Sequence, residues 1–188
     1  MRTLLLRSLF SAPVTMDGPP PADAALAEVG RALEERVRRL YGRSLTIREV
    51  DAGSCNGCEL EIHALNNPVY DVERFGLRFV ASPRHADVLL VTGPVARNMA
   101  VALARTYAAT PDPKWVVAVG DCACGCGVFQ GSYAVVGAVE DVVPVDLSIR
   151  GCPPRPIDLL RGLVALTEKA TQAPATQAPA TQTSKRTA

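Results

Sequence analysis

The chain has 188 residues, 48% of them hydrophobic, which suffices for one ordinary domain with a sizeable core. Twenty Lys and Arg against nineteen Asp and Glu leave a net charge of +1, so no long-range positive field marks nucleic acid as a partner. Four Phe, four Tyr and one Trp do not supply the stacking platform of a single-strand binder either.

At the start, Leu4, Leu5 and Leu6 are cut off by Arg7, too short a run for a signal-peptide core or a membrane span. Residues 1–22 read as an N-terminal extension, either frayed or lying against a partner or membrane surface. Residues 23–40 carry Leu26, Val29, Leu33, Val37 and Leu40 at spacings of three and four, a helical apolar stripe that Gly42 is placed to end. Residues 45–50 alternate as a strand and run into Asp51-Ala-Gly-Ser-Cys55. A short helix is expected over 59–65, closed by Asn66, Asn67 and Pro68.

The runs 87–92 and 114–119 are short and apolar, each followed by glycine, and read as buried parallel strands. An Ala- and Leu-rich crossover helix over 96–109 joins them and stops at Pro111 and Pro113. A further strand is expected over 141–145, then a last helix from Pro156 with Leu159, Leu160, Leu163, Val164 and Leu166 on its buried side. Repeated strand, loop and helix units argue for an α/β fold, an open and mostly parallel sheet with helices on both faces. Its ligand sites lie beyond the carboxyl ends of the strands. The domain is expected over 23–168. Residues 169–188, rich in Thr, Gln, Ala and Pro, are expected to form a disordered tail.

Six cysteines accompany only two histidines. Cys55 and Cys58 form a C-x-x-C pair, Cys122 opens a turn that also carries Cys124 and Cys126, and Cys152 begins Gly-Cys-Pro-Pro. All three groups follow expected strands, so the fold would bring them to one end of the sheet. A cubane cluster takes four thiolates, one per iron. The candidate set is Cys55, Cys58, Cys122 and Cys152 around one 4Fe-4S cluster at the strand C-terminal ends. A C-x-x-C pair alone also suits a redox dithiol or half a zinc site, and four sulfurs suit zinc as well, so a structural zinc-binding assembly protein stays open. Cys124 and Cys126 are possible alternative ligands, tuning groups or small core residues. Thiol chemistry of this kind points to the cytoplasm. No G-x-G-x-x-G or Walker loop and no Ser-His-acid arrangement is present.

Four motifs together carry a resemblance: Gly53-Ser-Cys-Asn-Gly-Cys-Glu-Leu-Glu61, Asp87-Val-Leu-Leu-Val-Thr-Gly-Pro94, Pro113-Lys-Trp-Val-Val-Ala-Val-Gly-Asp-Cys-Ala123, and Val143-Pro-Val-Asp146 with Gly151-Cys-Pro-Pro-Arg-Pro156. Over about residues 45–168 the chain resembles the family shared by nickel-iron hydrogenase small subunits and the 20 kDa or B subunit of NADH-quinone oxidoreductase, complex I. The resemblance implies a flavodoxin-like domain holding one 4Fe-4S cluster on Cys55, Cys58, Cys122 and Cys152 beside a larger catalytic partner. Complex I members have adjacent cysteines in the first motif; Gly57 stands before Cys58 here, which favours the hydrogenase-like branch. Within it the chain is similar to small subunits of energy-converting or formate-hydrogenlyase-type enzymes. By the same resemblance no twin-arginine leader and no second cluster domain are expected, and Cys126-Gly127 stands where Gly-Gly is usual.

The implied function is one-electron transfer in a membrane-associated oxidoreductase, with this chain itself not catalytic. The nickel-iron centre, or a quinone site in a complex I-like alternative, would belong to partner subunits. The expected partners are a hydrogenase-like or complex I-like large subunit, a ferredoxin-like subunit and membrane subunits, with the chain peripheral on the cytoplasmic side. By the same resemblance Glu61 faces the partner in a proton-transfer or tuning role; as residues alone it reads first as a helix surface charge. His63 reads as a polar interface group, and Arg97, Asn98 and Arg155 as cluster-steadying, partner-clamping or simple surface groups. Asp121 reads as an organiser of loop amides, and Trp115 as core.

Overall fold

The computed structural model describes residues 24–172. The first helix, α1 (Ala24–Tyr41), buries Leu26, Leu33 and Val37 along one stripe. Its wet face carries the i,i+4 pairs Glu34–Arg38 at 2.7 Å and Glu35–Arg39 at 2.6 Å. The strands of the main sheet are β1 (Leu45–Asp51), β2 (Leu77–Phe79), β3 (Val88–Thr92), β5 (Trp115–Val119) and β7 (Leu147–Ile149). They run in the order β2-β1-β3-β5-β7, every pair parallel. A small antiparallel ladder joins β4 (Val95–Ala96) to β6 (Val135–Gly137). The remaining helices are α2 (Gly57–Ala64), α3 (Arg97–Ala109), the one-turn α4 (Asp121–Gly125) and α5 (Pro156–Gln172).

Parallel strands need cover on both faces, and all five residues of β3 are buried. Because side chains alternate along a strand, Val88 and Leu90 join Ile47, Val117 and Val119 on one face. There they pack with Leu33 of α1, Ile62 of α2, and Leu160 and Leu163 of α5. Leu89 and Val91 join Val116 and Ala118 on the other, with Leu103 of α3, Val139 and Val143. The expected α/β architecture, with helices on both faces of a mostly parallel sheet, is therefore present. The chain leaves β1 toward β2 on one side and β3 on the other, which puts a crevice at the carboxyl edge, where loops of such sheets bind ligands.

Three features differ from the sequence expectation. The strand expected over 141–145 is absent: Val139–Asp141 forms a single 3-10 turn and the strand lies at Leu147–Ile149. Pro144 has no N–H for a ladder, and Val139 and Val143 are buried as non-strand residues against the second face. Asp146 instead starts the pairing, its Oδ2 accepting the Val116 N–H at 2.8 Å. The short edge strand β2 and the β4/β6 ladder were not foreseen. Finally, α5 continues to Gln172, past the boundary placed at residue 168. The N-terminal extension 1–22 and the rest of the tail, 173–188, lie outside the described residues.

Candidate metal centre

Three loops at the carboxyl edge are shaped by short polar side chains. After β1, Asp51 Oδ1 accepts the N–H groups of Gly53 and Ser54, both at 2.8 Å, an Asx turn that presents Cys55. Ser54 Oγ accepts the Asn56 N–H at 3.1 Å, and α2 then starts at Gly57, so Cys58 sits in its first turn. After β5, Asp121 links the second loop to the third in both directions. Its N–H donates to Gly151 O at 2.9 Å, and its Oδ1 accepts the Gly151 N–H at 3.1 Å. Asp121 thus orders loop amides, as the sequence suggested.

These loops bring Cys55, Cys58, Cys122 and Cys152 together as lining of one cavity of about 130 Å³ with chiefly apolar walls. All six cysteines are free thiols. Gly120, at φ 91°, is required here: a Cβ would stand 2.5 Å from Cys58 Sγ. At Gly93, φ 72°, a Cβ would stand 2.5 Å from the Ser54 nitrogen, so only glycine lets β3 end against the Cys55 loop.

The thiols are electrostatically close. Burial pushes Cys58 up to about 12, with the neighbouring Glu59 charge and then Cys55, Cys122 and Cys152 adding to it. Cys122 is raised by burial first and then by Cys152, against a hydrogen bond from the Val128 amide. Without a metal Cys58 and Cys122 are therefore thiols at neutral pH, and loading must expel their protons.

Cys124 and Cys126 do not line the cavity. Cys124 Sγ lies 3.7 Å from Ala118 O and 4.0 Å from Ile149 O, against the second core, and burial raises its pKa. Cys126 is half-buried at φ 63° and is raised by burial and then by Asp141. Glu61 is half-exposed on α2. His63 Nε2 lies 3.7 Å from Glu49 Oε2. Arg155 is an exposed partner of Asp158, with Nε to Oδ2 at 2.8 Å, and Arg97 and Asn98 are exposed at the start of α3. Trp115 is half-buried against the first core.

Two groups escaped the sequence reading. Glu59 is only 7% exposed and both its carboxylate oxygens are buried without a hydrogen-bond partner; Glu49 Oε1 is in the same state. A signal existed, since Glu59 lies three residues before the core residue Ile62 and so shares its helix face, whereas Glu61 does not.

Residues 55–166 match the family model described as NADH ubiquinone oxidoreductase, 20 Kd subunit, over more than half of the chain. The chain belongs to this family. A relative within it, a probable membrane-bound hydrogenase subunit (mbhJ) of Pyrococcus furiosus, is 46% identical over 74% of this chain and 85% of its own length. Formate hydrogenlyase subunit 7 of Escherichia coli is 42% identical over 77% of this chain and 55% of its own length. Among solved structures, a chain of the membrane-bound sulfane sulfur reductase, an archaeal respiratory membrane complex, superposes with TM-score 0.61. It is 34% identical, covering 72% of this chain and 74% of that one. Family members of this kind are subunits of oxidoreductase complexes, hydrogenase-like and complex I-like. No described helix of this 20 kDa-subunit homologue is long and apolar enough to cross a membrane.

The residues present fit an iron-sulfur group. Four sulfurs surround an apolar cavity, which suits thiolate ligation of iron. Among the described residues no three His, Cys, Asp or Glu side chains converge closely enough to hold one metal ion. A cubane does not ask for that, since it spreads its thiolates over four irons.

Proposed function

We propose that this chain is the one-electron transfer subunit of a hydrogenase-like, membrane-associated oxidoreductase, and that Cys55, Cys58, Cys122 and Cys152 hold its 4Fe-4S cluster. The observation that carries this reading is the convergence of those four cysteines, from three separate strand-end loops, on a single cavity. When bound, such a cluster supplies a one-electron redox couple.

The chain's own residues supply the setting. Asp51 and Asp121 fix the three loops before any metal arrives, which lowers the ordering cost of ligation. The walls between the loops are chiefly apolar, with Cys55 and Cys152 on the exposed side for a partner to cover, and the Val128 amide donates to Cys122, a contact that stabilises negative charge there. Leu60, two residues from Cys58, is 61% exposed, and Val128 is 86% exposed. Apolar side chains left open beside a redox site support a large partner subunit covering this end. The chain then sits peripherally on the cytoplasmic side, between the partner's catalytic centre and further iron-sulfur and membrane subunits.

Anaerobic isolation of the intact complex, followed by metal analysis and assays, tests the assignment. Nickel with hydrogen-dependent turnover supports a hydrogenase-like partner. Quinone reduction without nickel would instead make the assembly complex I-like, and zinc in place of reducible iron would remove the electron-transfer role.

A further inference from the structure

We propose that the open edge of β2 binds an acidic, extended segment of a partner subunit, which joins the sheet as a further strand. The inference rests on the chain working inside a complex and does not depend on the cysteine reading. β2 (Leu77–Phe79) is the outermost strand and pairs only with β1. The Leu45 N–H donates to Gly76 O and the Val80 N–H to Ile47 O, both at 2.8 Å, so the main-chain groups of residues 76, 78 and 80 face β1. Those of Leu77 and Phe79 alternate with them and face outward, where no strand of this chain receives them.

The sheet surface beside this edge is bare and basic. Between β2 and β3 the chain forms only the 3-10 turn Pro83–His85, and α3 packs through Leu103 against β3 and β5. No described helix therefore covers the same face of β1 and β2. Because side chains alternate, Thr46 and Arg48 share that face with Val50, and Arg78, opposite Thr46 in the register, joins them. Thr46 Oγ lies 2.6 Å from His85 O, which holds the turn bearing Arg84 against β1. Arg78 and Arg84 are exposed and Arg48 is half-buried. Among the described residues none of these three guanidinium groups has an ion pair. Asp87 is already taken by Arg43 and Thr46, and Glu49 acts on Arg48 only through space.

Three neighbouring like charges without a counter-charge repel one another, and their forked donors fit carboxylates two bonds at a time. An open edge with basic side chains on its flank thus suits strand addition by an acidic segment. A second copy of this chain would bring the same arginines and be repelled. The chain's own ends do not match either: residues 1–23 balance Arg2 and Arg7 against Asp17 and Asp23, and residues 173–188 contain no Asp or Glu. In an added strand alternate side chains share a face, so the segment carries carboxylates two residues apart. Its side chains beyond the end of β2 meet an open cavity of about 270 Å³, whose lining includes Arg48, Phe79, Val80 and Ala81, with Glu49 and His63.

The test uses the intact, anaerobically purified complex with the photo-cross-linking residue p-benzoylphenylalanine in place of Arg84, mapped by mass spectrometry after irradiation. The expected product joins position 84 to one partner-subunit segment with Asp or Glu at alternate positions. Paired reversal, Arg48→Glu with Arg78→Glu, is expected to lower recovery of that subunit about tenfold with iron per chain unchanged. Arg105→Glu, an exposed site on α3, is expected to leave recovery as it is. Amide-resolved hydrogen exchange of the wild-type complex gives a readout if the variant fails to assemble: the Phe79 N–H, unpaired within this chain, should be protected. Cross-links to lipid, to a partner helix or to nothing, equal loss with Arg105→Glu, or fast exchange at Phe79 overturns the inference. A chain that purifies without any partner overturns the assembly reading on which it rests.

Discussion

At the scale of single residues, position separates the cysteines that the motif alone leaves in competition. Cys122 faces Cys152 and Cys55 across the cavity, while Cys124 turns its sulfur under β5 and β7. Cys122→Ser is therefore expected to abolish the cluster signal, and Cys124→Ser to keep it, as read by absorption and iron content of the anaerobic complex. Retained iron in the first variant or lost iron in the second would contradict the ligand set. Gly120→Ala puts a methyl group 2.5 Å from Cys58 Sγ and forces a side chain into φ 91°, ψ 157°, a strain of about 1–3 kcal/mol. Its expected outcome is a folded chain with depleted iron and sulfide. The four cavity-lining cysteines were legible because thiolate chemistry and strand-end spacing both mark them. Glu59 and Glu49 were not: Glu59 offered only its three-residue spacing to Ile62, and nothing in the sequence marks Glu49.

At the scale of elements, the sheet is anchored at its amino end by Asp87, just before β3. Its carboxylate accepts from Arg43 at 2.7 and 2.8 Å, from the Thr46 N–H at 2.9 Å and from Thr46 Oγ at 2.7 Å. Burial alone would raise the Asp87 pKa, but these hydrogen bonds outweigh it and hold the group below the usual carboxylate range. A depressed folded-state pKa contributes stability above the unfolded value, which is lost as pH falls through the folded value. Asp87→Asn should remove that acid-side loss and cost about 1–3 kcal/mol at neutral pH. Urea unfolding across roughly pH 2 to 7 reads both effects, and parallel acid limbs in wild type and variant would contradict the account. Leu160→Ala, in the core between α5 and the sheet, should cost about 2–5 kcal/mol.

The buried apolar runs of β3 and β5 and the stripes of α1 and α5 made this architecture readable, because burial on both sides leaves a continuous signal. Residues 141–145 misled because Val142, Val143 and Val145 have strand composition while Pro144 denies them a ladder. The three-residue β2 is too short to show any period.

At the scale of the whole molecule, the proposed partner subunit would cover the apolar side chains left open beside the cysteine loops. Val128 and Tyr133, 86% and 88% exposed, follow the Cys122 loop directly. Val128→Asp keeps the backbone amide that serves Cys122 and should lower the recovery of partner subunits in co-purification without removing iron from what assembles. The central claim is that four sulfurs from three loops hold one iron-sulfur group. Anomalous diffraction at the iron edge from the oxygen-protected complex tests it most directly. The account predicts iron density bounded by the Sγ atoms of Cys55, Cys58, Cys122 and Cys152; a lone zinc ion there, or iron held by Cys124 or Cys126 in place of Cys122, would contradict it.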